Sequence, residues 1–314
     1  MAITINNPGI LYHDNTQSYS LNRFKRAIFG YGTTGTRVSI TNLVNNYGGV
    51  ATDTTGVGTA RRELAAAGYG GDKAIFGYGF VTAQVSMTNL VTNLGVVGTD
   101  VTGVGTARNG PAAAGYGEDK AIFGYGFDGA TVSPTAVTNL VSNIGVVATD
   151  TAGVGTTRQN LAAAGYGGNK AIFGYGNFST GAGRVSMTNL VSNTGVVATD
   201  TTGVGTVREA LAAAGYGGDK AIFGYGATGV SSSTSITNLV SNAGVVATDT
   251  TGVGTARGYL AAAGYGGDKA IFGYGLTSVS VSMTNLVSNT GVVGTDVTGV
   301  GTARFWLGAA SYSS

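Results

Sequence analysis

The chain has 314 residues, of which 56 are glycine and only 10% are charged, whereas globular proteins average about 7% glycine and about 25% charged residues. Three prolines and the lack of a Gly-X-Y period exclude a collagen-like chain, and 43% hydrophobic residues argue against disorder. A net charge of +2 without any basic run excludes a nucleic-acid-binding surface, and the absence of cysteine excludes disulfides and thiolate metal sites.

The first segment of the chain, residues 1–20, matches no other part of it and is predicted to form an N-terminal arm. Its apolar residues are too many for an inert tail, so we expect it to dock onto a partner, a neighbouring copy or the rest of the chain. It lacks the basic and apolar regions of a secretory signal. No apolar run in the chain approaches the roughly 18 residues of a membrane span, so no membrane partner is expected.

Residues 21–314 consist of one unit repeated six times. Ala-Ile-Phe-Gly-Tyr-Gly recurs with its phenylalanine at 29, 76, 123, 173, 223 and 272. Each copy is followed by Thr-Asn-Leu-Val and then by Gly-Val-Gly-Thr before an arginine. Unit lengths differ only between the phenylalanine and the next asparagine, which indicates one exposed loop on an otherwise rigid scaffold.

The second unit illustrates the four strands that we predict for each repeat. They are residues 64–68, 73–78, 85–91 and 95–100, and the first two are joined by a tight Tyr-Gly-Gly-Asp turn. Four short strands in about 50 residues are typical of a β-propeller blade. The small Ala-Ala-Ala strand is expected innermost, where blades converge.

The two ends of the repeat region complement each other. The chain begins this region with a second strand that lacks a first, and it ends, after Arg304, with a first strand that lacks a second. Together they complete one blade and remove the exposed edges. The predicted fold is all-β: a six-bladed β-propeller of four-stranded antiparallel blades, closed by the C-terminal first strand joining the N-terminal blade.

The run from Arg61 through Leu64-Ala-Ala-Ala-Gly-Tyr-Gly-Gly-Asp-Lys-Ala-Ile-Phe-Gly-Tyr-Gly79 to Thr88-Asn89-Leu90 resembles the kelch repeat. The glycine doublet of that family reads Gly-Tyr-Gly here, and its fourth-strand tryptophan is missing from every unit. The resemblance implies a propeller and carries no particular function, since propellers host many. The regular glycine-rich units are also similar to phage virion and tail-associated proteins.

Most charged residues recur at the same place in every unit, including the arginines at 61, 108, 158, 208, 257 and 304. Catalysis requires different groups in different roles, so sixfold equivalence indicates pairing and turn capping within the scaffold; an axial ring that binds ions is the alternative. Copper chemistry of the galactose oxidase type needs histidines and a cysteine, and the chain has one histidine, His13. No catalytic residue, metal or cofactor is therefore predicted.

The units differ from one another at two places: the loop after Phe-Gly-Tyr-Gly and the pair of residues after the closing arginine. In an antiparallel blade these two places emerge on the same face, and the near-constant turns emerge on the other. Aromatic and arginine residues are common anchors of recognition surfaces. The predicted binding residues on this variable face are Trp306, Phe305, Tyr259, Arg62, Glu63, Arg37, Phe80 and Phe127.

These observations predict a non-enzymatic structural or recognition module. The setting expected is a virion or extracellular surface, with other virion proteins contacting the arm and a host glycan or receptor contacting the variable face. Relaxed drift in exposed loops would explain the variability without a ligand. An intracellular, cytoplasmic kelch-like scaffold for protein partners is the alternative function, and a propeller hydrolase or lectin-like enzyme is a more remote one.

Overall fold

A computed structural model describes residues 25–179 and 183–314. The predicted N-terminal arm, residues 1–20, lies outside the described residues. Throughout the described part the secondary structure is strands, bridges and turns, with no helix. The chain is therefore all-β over the described ranges, and its strands form repeated three-stranded antiparallel sheets.

Six of these sheets are equivalent, each with an inner Ala-Ala-Ala-Gly-Tyr-type strand, a middle Lys-Ala-Ile-Phe-Gly-type strand and an outer Thr-Asn-Leu-Val strand. The inner strands are β3 (Ala65–Tyr69), β7 (Ala112–Tyr116), β12 (Ala162–Tyr166), β15 (Ala212–Tyr216), β18 (Ala261–Tyr265) and β21 (Gly308–Ser313). The middle strands are β1 (Lys25–Gly30), β4 (Lys73–Gly77), β8 (Lys120–Gly124), β13 (Lys170–Gly174), β16 (Lys220–Gly224) and β19 (Lys269–Gly273). The outer strands are β2 (Thr41–Val44), β5 (Thr88–Val91), β11 (Thr138–Val141), β14 (Thr188–Val191), β17 (Thr237–Val240) and β20 (Thr284–Val287).

A seventh sheet is small and belongs to the variable face. It contains β6 (Arg108–Asn109), β9 (Phe127–Asp128) and β10 (Ser133–Pro134), in the order β10-β9-β6. In the other units, isolated bridges such as Arg62–Phe80 and Phe80–Gln84 take the equivalent place. The third unit therefore extends a contact that the other units make with single residues.

The sheets have three strands where the sequence predicts four. In the second unit, residues 95–101 form only two isolated bridges with the outer strand β5, Val91–Val97 and Thr88–Val101. The two bridged positions are three residues apart on β5 but four residues apart on the opposite segment. That segment therefore carries one extra residue, a bulge that interrupts the ladder of hydrogen bonds. The Asn89 side chain fills the interruption, because its Nδ2 donates to Gly98 O at 3.0 Å and to Asp100 Oδ1 at 2.9 Å.

The six equivalent sheets follow one another around a common axis. Each inner strand contacts the inner strands of the sheets before and after it, and the series returns from β21 to β3. The C-terminal strand β21 pairs antiparallel with β1 over six residues, from Lys25–Ser313 to Gly30–Gly308. The two ends of the repeat region thus complete one sheet, as the sequence predicts.

Two rings of backbone hydrogen bonds join the units at the two ends of this axis. At the variable face, each residue two positions after the closing arginine donates its N–H to the equivalent carbonyl of the preceding unit, at 2.8 to 2.9 Å. Its members are Glu63, Gly110, Asn160, Ala210, Tyr259 and Trp306. At the opposite end, the turn face, the turn of each unit donates to the next unit at 2.6 to 3.1 Å. These donors are Gly70, Gly117, Gly167, Gly217, Gly266 and Ser313.

The core lies between neighbouring sheets. The phenylalanine of each middle strand is fully buried, and its ring lies against the last glycine of the preceding middle strand. A Cβ on Gly77 would lie 2.7 Å from Cζ of Phe123, so a larger residue does not fit there. The same ring packs at 5.0 Å, centroid to centroid, from the ring of Tyr78. Five further phenylalanine–tyrosine pairs repeat this contact at 5.1 Å.

The closing arginine of each unit is fully buried between two sheets. Arg108 stacks on the ring of Tyr78 at 4.1 Å, and its Nη2 donates to Asn139 Oδ1 of the following sheet at 2.7 Å. The other five arginines stack on the equivalent tyrosines at 4.2 to 4.5 Å. Each guanidinium therefore bridges one sheet to the next.

An aspartate completes this arrangement. Asp150 accepts a hydrogen bond from Asn139 Nδ2 at 2.9 Å and two from Thr106, whose Oγ1 lies 2.7 Å from Oδ2. Burial would raise the pKa of Asp150, but the hydrogen bonds from Thr106 and Asn139, with the nearby Arg108, hold it below its ordinary value. The connection that carries Thr106 and Arg108 is thereby fixed to the next sheet, which determines where the residues after it emerge.

Replacing Phe123 by alanine should lower the free energy of unfolding by about 3–5 kcal/mol, because it removes a ring packed on Gly77 and Tyr78 and leaves a cavity. Chemical denaturation would measure the change. The control Val96→Ala alters a side chain that is 60% exposed and should shift stability by less than about 0.5 kcal/mol. Equal effects of the two substitutions would contradict this assignment of the core.

The protein should lose stability at alkaline pH. Burial raises the pKa of Tyr31, Tyr78, Tyr125 and Tyr225 from 10.0 to about 12, against an opposing effect of the stacked arginines. Because the folded pKa exceeds the unfolded one, the stabilisation is complete below pH 10 and is lost as pH rises towards 12. Thermal melts across this window would show it, and tyrosinate absorbance should rise together with unfolding. Ionisation of these tyrosines at 10.0 in a still-folded protein would disprove it.

Candidate binding face

The two variable segments of each unit lie side by side, as the sequence predicts. In the second unit, Arg62 and Phe80 exchange two backbone hydrogen bonds, Arg62 N to Phe80 O at 3.2 Å and Phe80 N to Arg62 O at 2.8 Å. Bridges at the same place join Gln159 to Asn177 and Glu209 to Ala227. The pair after the closing arginine and the loop after Phe-Gly-Tyr-Gly therefore form one surface around the axis.

The backbone ring at this face fixes the direction of the side chains that it carries. Glu63, Tyr259 and Trp306 all have φ between 54° and 56°, a left-handed conformation that residues with a Cβ seldom adopt. The ring hydrogen bonds hold them in it. Such strain is concentrated in natural proteins at functional sites, and here it falls on the residues that vary most between units.

A cavity of about 240 Å³ opens on this face between the second, third and fourth units. Its wall combines two aromatic rings, one guanidinium, one carboxylate and three primary amides. The lining residues are Arg62, Glu63, Phe80, Gln84, Asn109, Phe127 and Gln159. The cavity is a shallow, open depression that places two apolar rings beside a few polar groups, a combination that also occurs in ligand sites.

Three polar side chains of this wall form one hydrogen-bonded chain. Gln84 Nε2 donates to Asn109 Oδ1 at 3.0 Å, and Asn109 Nδ2 donates to Oε2 of Glu63. The other oxygen of Glu63 forms an ion pair with Arg62 Nε at 3.2 Å. Burial raises the pKa of the Glu63 carboxyl, and the Asn109 hydrogen bond and the charges of Arg62 and Arg37 oppose the rise. The amides of Gln84 and Asn109 and the carboxylate of Glu63 are therefore held in fixed orientations.

Stacked cations and rings border the cavity. Phe80 lies between two guanidinium groups, Arg37 at 5.2 Å and Arg62 at 5.3 Å from its ring centroid. Arg62 also covers the ring of Trp306 at 4.4 Å. Arg62 thus joins the cavity to an aromatic cluster on the axis.

The aromatic cluster consists of Tyr259, Phe305 and Trp306. The indole lies 5.0 Å from the Tyr259 ring in an edge-on contact and 4.8 Å from the Phe305 ring. Burial, followed by the charges of Glu209 and Glu63, raises the pKa of Tyr259. Nε1 of Trp306 is buried and makes no hydrogen bond within the described residues, so the indole is positioned by stacking.

All eight predicted residues meet on this face. Four of them, Arg62, Glu63, Phe80 and Phe127, line the cavity, and Arg37 and the aromatic cluster extend it. Asn109 and Gln159 follow closing arginines and so belong to the variable segments, but they are not among the predicted binding residues. No pattern in a single sequence distinguishes a surface amide from one that orients a carboxylate.

A second buried carboxylate was also not selected. Glu209 is 7% exposed and pairs with Arg184 Nη2 at 2.8 Å. Nδ2 of Asn160 and Nδ2 of Asn177 each lie 3.3 Å from its Oε2. It occupies the same place in its unit as Arg62 does in the second, so equivalent positions of two units carry opposite charges.

Within the described ranges, no group of three or more histidine, aspartate or glutamate residues is placed to hold a metal ion, and no helix is long and apolar enough to cross a membrane. The sequence matches no known protein-family model, and a search of curated proteins finds no similar one.

Replacing Arg62 by alanine should uncover the indole of Trp306, which is the only tryptophan in the chain. Its fluorescence should shift to longer wavelength and become more accessible to acrylamide. The matched control Arg37→Ala removes a guanidinium that contacts Phe80 and should leave the emission unchanged. An unchanged spectrum in the Arg62 variant would contradict the stacking described here.

Proposed function

We propose that this chain is a non-enzymatic, kelch-like six-bladed β-propeller, with three strands and a bulged fourth segment in each blade, that recognises a ligand through its variable face. Six equivalent sheets, the β1–β21 pairing and two closed rings of hydrogen bonds support the blade number. The hydrogen bonds from the Asn89 side chain to Gly98 and Asp100 tie the fourth segment to the outer strand, and they support counting that segment as part of the blade.

The cavity beside the aromatic cluster is the observation that carries the recognition role. The positions at which the units differ carry side chains that meet around one cavity. Relaxed sequence drift in exposed loops would not by itself require that these side chains meet. Phe80, Phe127 and Trp306 offer apolar faces, and the amides offer oriented hydrogen-bond donors and acceptors. Tryptophan, tyrosine and arginine supply much of the binding energy in recognition surfaces.

The hydrogen bonding of the carboxylates favours binding over catalysis. Both oxygens of Glu63 are engaged, one by Asn109 and one by Arg62, and Glu209 is likewise held by Arg184. A general acid or base must reach a proton on its substrate, whereas these groups already hold fixed partners. Such fixed groups suit recognition, since their ordering is complete before a ligand arrives.

The ligand that we propose is a host glycan or receptor, and the setting is the exterior of a phage particle or similar assembly, where the N-terminal arm would contact other virion proteins. Sugar rings stack on aromatic faces, and their hydroxyl groups bond to amides and carboxylates, which are the groups of this cavity. A surface rich in threonine, serine and glycine, without cysteine, suits exposure outside cells.

Trp306→Ala and Tyr259→Ala should each weaken binding to the ligand found on a glycan array or host-cell surface by roughly tenfold or more, because buried aromatic anchors contribute about 2 kcal/mol or more. Asp219→Asn on the turn face is the control and should bind as the wild type does. Wild-type binding by both aromatic variants would refute the proposed face. Absence of any glycan or cell ligand would refute the proposed function.

A further inference from the structure

The opposite end of the axis carries a second cavity, of about 270 Å³. The inner strands approach one another closely in its wall. A Cβ on Gly68 would lie 2.9 Å from Ser311 O, and one on Gly115 would lie 3.2 Å from Gly68 O. Glycine is therefore required sterically at these strand positions, although their φ angles are ordinary. The turn glycines that also line the cavity, such as Gly71 and Gly168, have positive φ instead.

This cavity lies at the turn end of the axis. The inner strands run from the hydrogen-bonded ring of the variable face to the turns at the other end, and residues of these turns line the cavity. We call its opening at the turn face the mouth.

Six lysines surround the mouth: Lys25, Lys73, Lys120, Lys170, Lys220 and Lys269. Three of them, Lys73, Lys120 and Lys220, fold back over their turns, with Nζ 3.7 to 3.9 Å from the place of a Cβ on the turn glycines Gly70, Gly117 and Gly217. One carboxylate, Glu118, also lines the cavity, and it stands where four other units have glycine.

The carboxylates that accompany these lysines lie outside the cavity wall. Asp72 Oδ1 pairs with Lys73 Nζ at 2.7 Å, and three further lysines pair in the same way with the preceding aspartate at 2.9 to 3.1 Å. None of these four aspartates lines the cavity. The lysine of each pair therefore belongs to the cavity wall and the aspartate does not.

Two units lack the compensating aspartate. Asn169 precedes Lys170, and in the first unit Lys25 itself stands at the aspartate position, followed by Arg26. These are the first and fourth of six units, so the uncompensated charges lie on opposite sides of the mouth. Lys25 and Lys170 line the cavity with no aspartate before them in their turns, and Glu118 is the one carboxylate side chain among the lining residues, so a net positive charge remains that attracts an external anion.

We propose that the turn-face mouth binds a multivalent oxyanion, such as a phosphate or sulfate group. The charge that it neutralises is the excess at Lys25 and Lys170, and the remaining lysines supply further donors. The cavity accommodates a small oxyanion with several waters, given about 30 Å³ for each water. This site is independent of the variable face and of the function proposed for it.

Calorimetric titration of the full chain with inorganic pyrophosphate tests the proposal. We expect one saturable site per chain and an affinity that falls as sodium chloride is added, since ions screen the charges. Lys25→Gln with Lys170→Gln should abolish the binding. No saturable heat, or several equivalent weak sites, would overturn the proposal.

A matched pair of substitutions separates a built site from general surface charge. Asn169→Asp restores the missing carboxylate in the fourth unit and should weaken binding roughly tenfold. Asp219→Asn removes the equivalent carboxylate from the fifth unit and should strengthen it by a similar factor. Both exchanges preserve shape, and thermal melts would verify folding. Affinities that do not move in opposite directions would overturn the proposal.

The source of the oxyanion is decided by a second titration, with a phosphorylated monosaccharide. Binding as tight as that of pyrophosphate identifies an ester group on a larger molecule, whose organic part remains outside the mouth. Binding of pyrophosphate alone identifies the free anion. Either result supports the site, since the shared chemistry is the oxyanion.

Discussion

The architecture depends on a guanidinium group buried between each sheet and the next. Arg108 lies on the ring of Tyr78 from one sheet and bonds to Asn139 of the following one, and four further arginines repeat both contacts. Arg61 stacks on Tyr31 and reaches the next sheet through Nε, which donates to Tyr78 O at 2.9 Å. A buried charge is costly unless it is stacked and hydrogen-bonded. Because each arginine needs groups from both neighbours, a sheet cannot satisfy its own arginine alone, and the units must assemble as a series.

The contacts that these buried arginines need also determine which residues of the chain are exposed to solvent. The connection that carries each arginine is tied by the Thr–Asp contact to the next sheet, so the two residues after it always emerge on the same face. There they form the hydrogen-bonded ring, and their side chains are free to differ. Six arginine contacts between neighbouring sheets therefore support one surface whose side chains differ from unit to unit. The other end of the axis, where the turns are near-constant, holds the lysine-lined cavity instead.

Much of this follows from particular residues. Six copies of Ala-Ile-Phe-Gly-Tyr-Gly predicted the middle strands, and the complementary ends predicted the β1–β21 pairing. The predicted regular fourth strand is absent from the sheets of the described residues, since the Asn89 side chain takes the place of ladder hydrogen bonds and a bulge follows. Likewise, nothing in the sequence identified Tyr78 as a left-handed residue, because tyrosine rarely adopts φ near 63°. Its backbone N–H donates to Met87 O at 3.0 Å and its carbonyl accepts from Arg61 Nε at 2.9 Å, and both contacts come from segments distant in the sequence.

The sequence by itself determined the repeated all-β units, the closure of the ends and the concentration of variety at two segments of each unit. It did so because strand, turn and repeat are local patterns that recur along the chain. Only the tertiary structure decided that Asn109 orients Glu63, that Arg62 joins Phe80 to Trp306, and that the lysines of the turns line the axial cavity while their aspartates do not. Those contacts join side chains from different units, and their geometry exists only once the sheets have packed around the axis.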